Sequence, residues 1–140
     1  MNWLAIIMQN KILCLLILIL LSCTPSPRYT SDNIIYGVAS HYGHNDGFDG
    51  ELTANGEVYD KDGLSAAHKT LPLNSTIFVT NLSNGKSVKL KVNDRGPYID
   101  GRILDCSYGA AKKLDFVNEG TTSVRIEVLK WGDNEYKKQH

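Results

Sequence analysis

Residues 76–92 read TIFVTNLSNGKSVKLKV, and this stretch decides the class of fold. Thr76 to Leu82 and Ser87 to Val92 each have the composition and period-two alternation of a β-strand. Between them stands Ser83-Asn84-Gly85-Lys86. Asn-Gly tolerates the left-handed backbone of a tight turn, which makes it the strongest short-range hairpin signal. In the second strand Val88, Leu90 and Val92 point one way while Lys89 and Lys91 point the other, as in a sheet that is wet on one face.

The same character recurs on either side. Residues 34–42 (IIYGVASHY) are β-rich, and residues 122–131 (TSVRIEVLKW) alternate through Val124, Ile126 and Val128. Arg102 to Asp105 is a further short strand. Gly43 to Gly50 (GHNDGFDG) is too rich in turn formers to be regular and reads as a surface loop. Ser107 to Phe116 is the best helix, with Ser107 as its N-cap and Tyr108, Ala111 and Leu114 on one face. About six short strands with one or two short helices in about 100 residues predict a mainly β domain closed into a small barrel.

The N-terminus has a different logic. Residues 11–23 read KILCLLILILLSC, a positive residue, a short apolar run and a small residue before Cys23. The run is too short to span a bilayer as a helix and has the layout of a secretory signal. A Cys in that position resembles a bacterial lipobox, with Cys23 lipidated as the first residue of the mature chain. The expected organisation is a signal peptide over 1–22 and a Pro/Ser/Thr-rich tether over 23–33. The barrel domain then covers 34–131, and 132–140 is a polar, frayed tail. Thr24, not Asp, follows the Cys, which points to a lipid anchor in the outer membrane facing the periplasm.

Fifteen basic and fifteen acidic residues give a formal net charge of +0, which removes the electrostatic case for nucleic-acid binding. With Cys14 in the signal and Cys23 lipidated, Cys106 stands alone, so no disulfide is expected. Cys106 sits in an apolar run and reads as a core residue. His41, His44, Asp46 and Asp49 follow no metal-ligand spacing, and neither a metal nor a cofactor is expected. No nucleophile elbow or phosphate loop is present.

Three polar stretches interrupt the β pattern: Thr53 to Asp60, Ala66 to Pro72, and Val92 to Tyr98. Each sets an ionisable side chain beside turn formers, where a rigid scaffold presents functional groups. Together with Gly37-Val38-Ala39-Ser40-His41-Tyr42-Gly43, Val79-Thr80-Asn81-Leu82 and Gly101-Arg102-Ile103-Leu104-Asp105, they resemble the rare lipoprotein A (RlpA) family. The resemblance covers nearly everything from Tyr36 to Leu129. It implies a six-stranded double-psi β-barrel and endolytic lytic transglycosylase activity on peptidoglycan, with a preference for peptide-free glycan strands. The expected partners are those strands and, through Cys23, a membrane; the protein is expected to be monomeric.

The resemblance also implies the site. The Asp of Asn93-Asp94-Arg95-Gly96-Pro97 matches the family's proposed catalytic acid, so Asp94 would protonate the leaving oxygen. It would then take the proton of the sugar's own 6-hydroxyl, which closes a 1,6-anhydro ring. A carboxyl acting as an acid near neutral pH needs burial or a neighbouring carboxylate to raise its pKa. Glu57 and Asp60 are the expected neighbours, with Glu57 the second catalytic carboxylate. Asp60, His68, Tyr59, Arg95 and Tyr98 are the expected substrate contacts. Arg95, Arg102 and Asp105 also read as ion-paired residues holding the barrel crossing.

Two rival functions remain open at this level. One is a non-catalytic glycan-binding barrel of the expansin kind; the other is a hydrolase using Asp94, Glu57 and water. The sequence departs from the family in His41, where Trp is common, with the expected loss of a sugar-stacking surface, and in Cys106, where Leu is common. Many relatives also carry a C-terminal SPOR domain, and none is expected after this barrel.

Overall fold

The structure, a computed structural model, describes residues 33–137. The expected signal peptide, the lipidation site Cys23 and the tether up to residue 32 lie outside the described residues. Six strands follow in chain order: β1 (Ile34–Tyr42), β2 (Ser65–His68), β3 (Thr76–Asn81), β4 (Ser87–Asp94), β5 (Arg102–Ser107) and β6 (Thr121–Lys130). One helix, α1 (Tyr108–Leu114), lies between β5 and β6. The strands close into a barrel in the order β1-β5-β2-β4-β3-β6. Pairs β1–β5 and β2–β4 are parallel, and the others are antiparallel.

The hairpin at 76–92 forms as its sequence predicts. Thr80 pairs with Ser87, the Asn81 N–H donates to the Lys86 carbonyl at 2.8 Å, and Gly85 adopts φ 77°. Ile77, Val79, Leu90 and Val92 turn inward and meet Val124 and Ile126 of β6 in one apolar core. Phe116, 1% exposed, is the largest fully buried side chain in it. Truncating a ring packed this way costs about 3–5 kcal/mol, a large fraction of a small domain's stability. Ser107 caps α1 as expected, its Oγ accepting from the Ala110 N–H at 3.2 Å. Asp115 ends the helix in the left-handed conformation (φ 57°).

Three expectations are corrected. Ser65–His68 is a buried strand at the centre of the sheet, between β5 and β4, and not part of a polar interruption. Ser-Ala-Ala-His carries no β-branched or aromatic residue, so its strand form is imposed by the neighbours it pairs with. The segment after Trp131 is not frayed over its described length. Gly132 donates to Ser75 Oγ (2.9 Å), Asn134 exchanges two hydrogen bonds with Leu73 (both 3.0 Å), and the Lys137 N–H reaches the Asn55 carbonyl at 2.6 Å. The barrel domain therefore extends past 131 to Lys137. Finally, Arg95 and Asp105 form no ion pairs among the described residues; Arg95 donates to carbonyl oxygens and Asp105 accepts from a serine hydroxyl.

Candidate active site

A β-bulge sets the position of Asp94. In β4, Leu90 and Val92 face the core, and strict alternation would send Asp94 inward with them. The pairing of β2 with β4 slips between Ala66↔Val92 and Ala67↔Asp94, leaving Asn93 as the extra residue. A bulge of this kind re-aims the next side chain, and here it turns Asp94 outward. The Asn93 side chain is the cost: its buried Oδ1 has no hydrogen-bond partner among the described residues.

The register across four adjacent strands then builds a row. Ser40 pairs with Asp105, Asp105 with Ala67, and Ala67 with Asp94. Leu104 and Cys106, on either side of Asp105, are fully buried, so Asp105 faces the opposite way, outward. At the usual strand spacing the Cα atoms of Asp94 and Asp105 lie about 10 Å apart. The methyl group of Ala67 between them leaves a hollow. Gly96 arches over it with φ 138°, its pro-Cβ position 3.6 Å from Asp105 Oδ2. The result is a groove of about 460 Å³, with Tyr42, Phe48, Leu52 and Tyr98 among its walls. A larger hollow of about 560 Å³ lies by the hairpin turn; of its two carboxylates, Asp115 is tied to Lys86 at 2.9 Å and Glu119 stands alone among the described residues. The smaller groove gathers three, Glu51, Asp94 and Asp105, and is the candidate site.

Asp94 is held by donors on both oxygens. Oδ1 accepts from the Ala54 N–H (3.0 Å) and the Arg95 N–H (2.9 Å), and Oδ2 accepts from the Tyr42 hydroxyl (3.2 Å). Burial, then the negative charge of Asp94, raise the Tyr42 hydroxyl far above its usual range, so it stays protonated and donates. Asp105 accepts from Ser40 Oγ. Tyr42 in turn rests on Tyr59, ring centroids 4.6 Å apart, and the Tyr59 hydroxyl donates to the Tyr42 carbonyl at 2.8 Å. Only glycine fits at 43, where a Cβ would strike the Tyr59 ring.

The other expected site residues divide. Tyr98 is 81% exposed on the groove rim, free to stack on a ring. Arg95 lines the groove, yet its guanidinium is occupied: Nη1 donates to the His68 and Leu71 carbonyls (3.0 and 2.7 Å), and Nη2 to Asn134 Oδ1 (2.8 Å). Tyr59 is 3% exposed and reaches the site only through Tyr42. Glu57 lies outside the groove. It pairs with Lys91 and Lys137 and accepts from Asn55 Nδ2 at 2.8 Å. Burial alone would raise its carboxyl, but the hydrogen bonds from Lys91 and Asn55 prevail and hold it below the usual carboxylate range. It is thus a structural anion, not a partner for Asp94. Asp60 is exposed and closes an Asx-turn, accepting from the Asp62 N–H at 2.9 Å. The carboxylates that do share the groove with Asp94 are Asp105 and Glu51.

His68 also stands apart from that groove. Its Nδ1 accepts from the N–H groups of Thr70 (3.1 Å) and Leu71 (3.0 Å), which leaves the hydrogen on Nε2. Burial, with the charges of Arg95 and Lys69, pushes it down to about 4, so it is neutral. His41 faces α1, edge-on to Tyr108 and Phe116, so its replacement of Trp removes no surface from the groove. Phe48, Glu51, Ala67 and Asp105 are among the groove residues that sequence reasoning did not assign to the site. Register across the sheet, not any local motif, brings Asp105 and Ala67 there.

Fold and groove together define a double-psi β-barrel with Asp94 and Asp105 facing outward into an open cleft that Glu51 also lines. A family model described as lytic transglycolase matches residues 34–126. The chain belongs to this family, and within it to the RlpA type. Endolytic peptidoglycan transglycosylase RlpA of Vibrio cholerae is 57% identical over 93 residues, covering 66% of this chain and 35% of that protein. The protein of the same name from Campylobacter jejuni is 50% identical over 98 residues, covering 70% and 35%. The chain thus spans about a third of the length of these relatives. Among solved structures, Clavibacter michiganensis expansin superposes with a TM-score of 0.56 at 19% identity, over 69% of this chain and 50% of that one. A Streptomyces papain inhibitor gives 0.53 at 20%, over 67% and 92%. These two share the fold.

Proposed function

We propose that the protein is an endolytic peptidoglycan lytic transglycosylase that cuts the MurNAc-β-1,4-GlcNAc bond and leaves 1,6-anhydroMurNAc ends. The relatives named for this activity support the class. The observation that carries it is the placement of Asp94: outward, in an open groove, with Oδ1 occupied by two backbone N–H groups. An oxygen already accepting two hydrogen bonds cannot also carry the proton, so Oδ2 is the acid. From there the proton passes to the leaving O4 as the C1–O4 bond breaks. The muramyl O6 then closes on C1 and returns its proton to Oδ2, so no water is consumed. The Tyr42 hydroxyl steadies Oδ2 in its charged intervals, and Tyr98 and Phe48 flank the cleft as stacking faces for sugar rings.

A second reading has its own observation. The space above Ala67, between Asp94 and Asp105, has the layout of an inverting hydrolase, in which a water sits between two separated carboxyl groups. Products decide the matter. Purified protein is incubated with peptide-free glycan strands and the fragments are analysed by mass spectrometry. Anhydro ends support the lyase, ordinary reducing ends the hydrolase, and intact polymer a binding protein. Asp94→Asn should abolish cleavage while the protein stays folded; full activity in that variant would reject the assignment. Lipidation at Cys23 and a periplasm-facing outer-membrane position belong to the same proposal, supported by Leu20-Leu21-Ser22-Cys23.

A further inference from the structure

Asp105 is the groove carboxylate that the proton path through Asp94 does not use. Its Oδ1 accepts from Ser40 Oγ, while its Oδ2 has no hydrogen-bond partner among the described residues and is open to the groove. Oδ2 faces Gly96, 3.6 Å from that residue's pro-Cβ position. The negative charge of Asp105 also helps to hold the proton on the Tyr42 hydroxyl, which donates to Asp94 Oδ2, so the two carboxylates address one space. Ser40 is 3% exposed and fixed on β1 by its pairing with Asp105 and Thr121. A carboxylate anchored from behind, with its outer oxygen bare, is placed to receive a hydrogen from a ligand.

Which hydrogen a glycan offers there follows from the ring face turned to each wall. Asp94 and Asp105 stand on opposite sides of Ala67. Asp94 serves O4 and O6, and both of these oxygens approach C1 of the muramyl ring from one face. Asp105 then meets the other face, beneath which the 2-acetamido group can curl. When the acetamido oxygen points at C1, its N–H points away from C1 and toward the wall. Substrate-assisted glycosidases work through such an acetamido group, whose nitrogen becomes positive as its oxygen bonds to C1. A carboxylate oxygen facing that N–H stabilises the charge at the moment it forms.

We propose that Asp105 is a second catalytic carboxylate, whose Oδ2 accepts the N–H of the muramyl 2-acetamido group, with Ser40 as its positioning residue. As Asp94 passes its proton to O4 and the C1–O4 bond breaks, the acetamido oxygen bonds to C1 and positive charge spreads onto the nitrogen beside Asp105. O6 then attacks C1, the bond from C1 to the acetamido oxygen breaks, and the O6 proton returns to Asp94. The acetamide is restored, no outside atom enters, and Asp105 ends in the state in which it began. Its hydrogen bond is strongest while the nitrogen is charged, so it favours the reacting state over the bound substrate. This inference rests on the glycan reading above.

The test compares the full chain with its Asp105→Asn and Ser40→Ala variants, using turnover of peptide-free strands and two ligands. The ligands are a GlcNAc–MurNAc disaccharide and the same disaccharide closed as its muramyl thiazoline, a stable copy of the cyclised acetamide. The parent should bind the thiazoline about tenfold or more tighter than the open disaccharide, the worth of one charge-assisted hydrogen bond. Asp105→Asn keeps the oxygen to which Ser40 donates and sets an NH₂ against the acetamido N–H. It should lower kcat by about a hundredfold with KM little changed, and erase the thiazoline preference. Ser40→Ala leaves Oδ2 in place but unanchored, and should reduce both in part. Full kcat in Asp105→Asn, or a thiazoline preference that survives the loss of turnover, overturns the assignment. If circular dichroism shows that Asp105→Asn does not fold, Ser40→Ala decides, and parental kcat and preference there overturn it. A parent that releases anhydro ends yet binds both ligands equally overturns this inference alone. One that leaves the strands intact and binds neither ligand overturns the glycan reading with it.

Discussion

Acid should destabilise this domain through His68 in a window that the structure defines. The ring is 7% exposed, and its Nδ1 accepts two backbone N–H groups from the turn that leaves β2. Protonating Nδ1 would set N–H against N–H and place a cation beside Arg95 and Lys69. Burial first, then those two charges, bring the folded-state value down from 6.5 to about 4. The unfolded chain therefore takes the proton first as pH falls. Stability owed to neutral His68 is complete above pH 6.5 and is lost progressively towards pH 4. An interval of about 2.5 pH units corresponds to roughly 3 kcal/mol. Against a domain stability of about 5–15 kcal/mol, that loss is readily measured by urea unfolding at a series of pH values. His68→Gln removes the titrating group, so its stability should fall less steeply than the parent's between pH 6.5 and 4. Imidazole ¹⁵N shifts should report the Nε2–H tautomer with no titration near 6.5. A His68 that titrates at its ordinary value, or two stability curves that run parallel across the window, would refute the reasoning.

Tyr42→Phe keeps the ring on Tyr59 and deletes the donor to Asp94 Oδ2. Turnover should fall by about tenfold to a hundredfold, as for a lost hydrogen bond to a charged group, with the unfolding midpoint little changed; unaltered turnover would reject the contact. Glu57→Gln should lower stability at pH 7. Its carboxyl is held below 4.5, so the difference from the parent is full above that value and closes as pH falls beneath it. Urea midpoints at pH 7 and pH 3 check this, and a gap that persists at pH 3 removes the ion pairs as its cause. Asn134 sits at φ 60° with its Oδ1 on Leu73 and Arg95. Asn134→Gly should lose those bonds alone, and Asn134→Ala should cost about 1 kcal/mol more for the left-handed backbone. Equal unfolding free energies for the two variants would show that this tail is not held as the structure has it.

The barrel was legible in the sequence because its strands announce themselves one at a time. Asn84-Gly85 marks the hairpin, Val124, Ile126 and Val128 mark β6, and Ser107 marks the start of the helix, each through a signal carried within a few residues. Strand β2 carries no such signal, since Ala66 and Ala67 are silent and only pairing makes them a strand. Of the expected site residues, the groove gathers Asp94, Arg95 and Tyr98, where motif and geometry coincide. Glu57 and Asp60 share a turn-rich stretch with Ala54, and sequence cannot tell which of its groups faces the groove. The backbone N–H of Ala54 does, while the two carboxylates are spent on Lys91, Lys137 and the Asp62 amide. Asp105 escaped for the opposite reason: it stands between Leu104 and Cys106 in an apolar strand, and only its alignment with Ala67 and Ser40 brings it opposite Asp94.

The bulge at Asn93 links these observations. Period-two alternation puts Asp94 on the face of Leu90 and Val92, inside the barrel, where an unpaired carboxylate would cost several kcal/mol. One extra residue reverses the face and converts a destabilising charge into an accessible one. The bulge also aligns Asp94 with Ala67, so the smallest side chain of β2 falls between the two carboxylates where a ring must enter. Filling that space tests the whole arrangement at a single position. Ala67→Leu leaves every donor to Asp94 in place and projects its added carbons outward into the groove, so it should abolish glycan cleavage while the protein remains folded. Retained cleavage in a folded Ala67→Leu protein would mean that substrate does not pass between Asp94 and Asp105, and the groove would have to be sought elsewhere on the barrel.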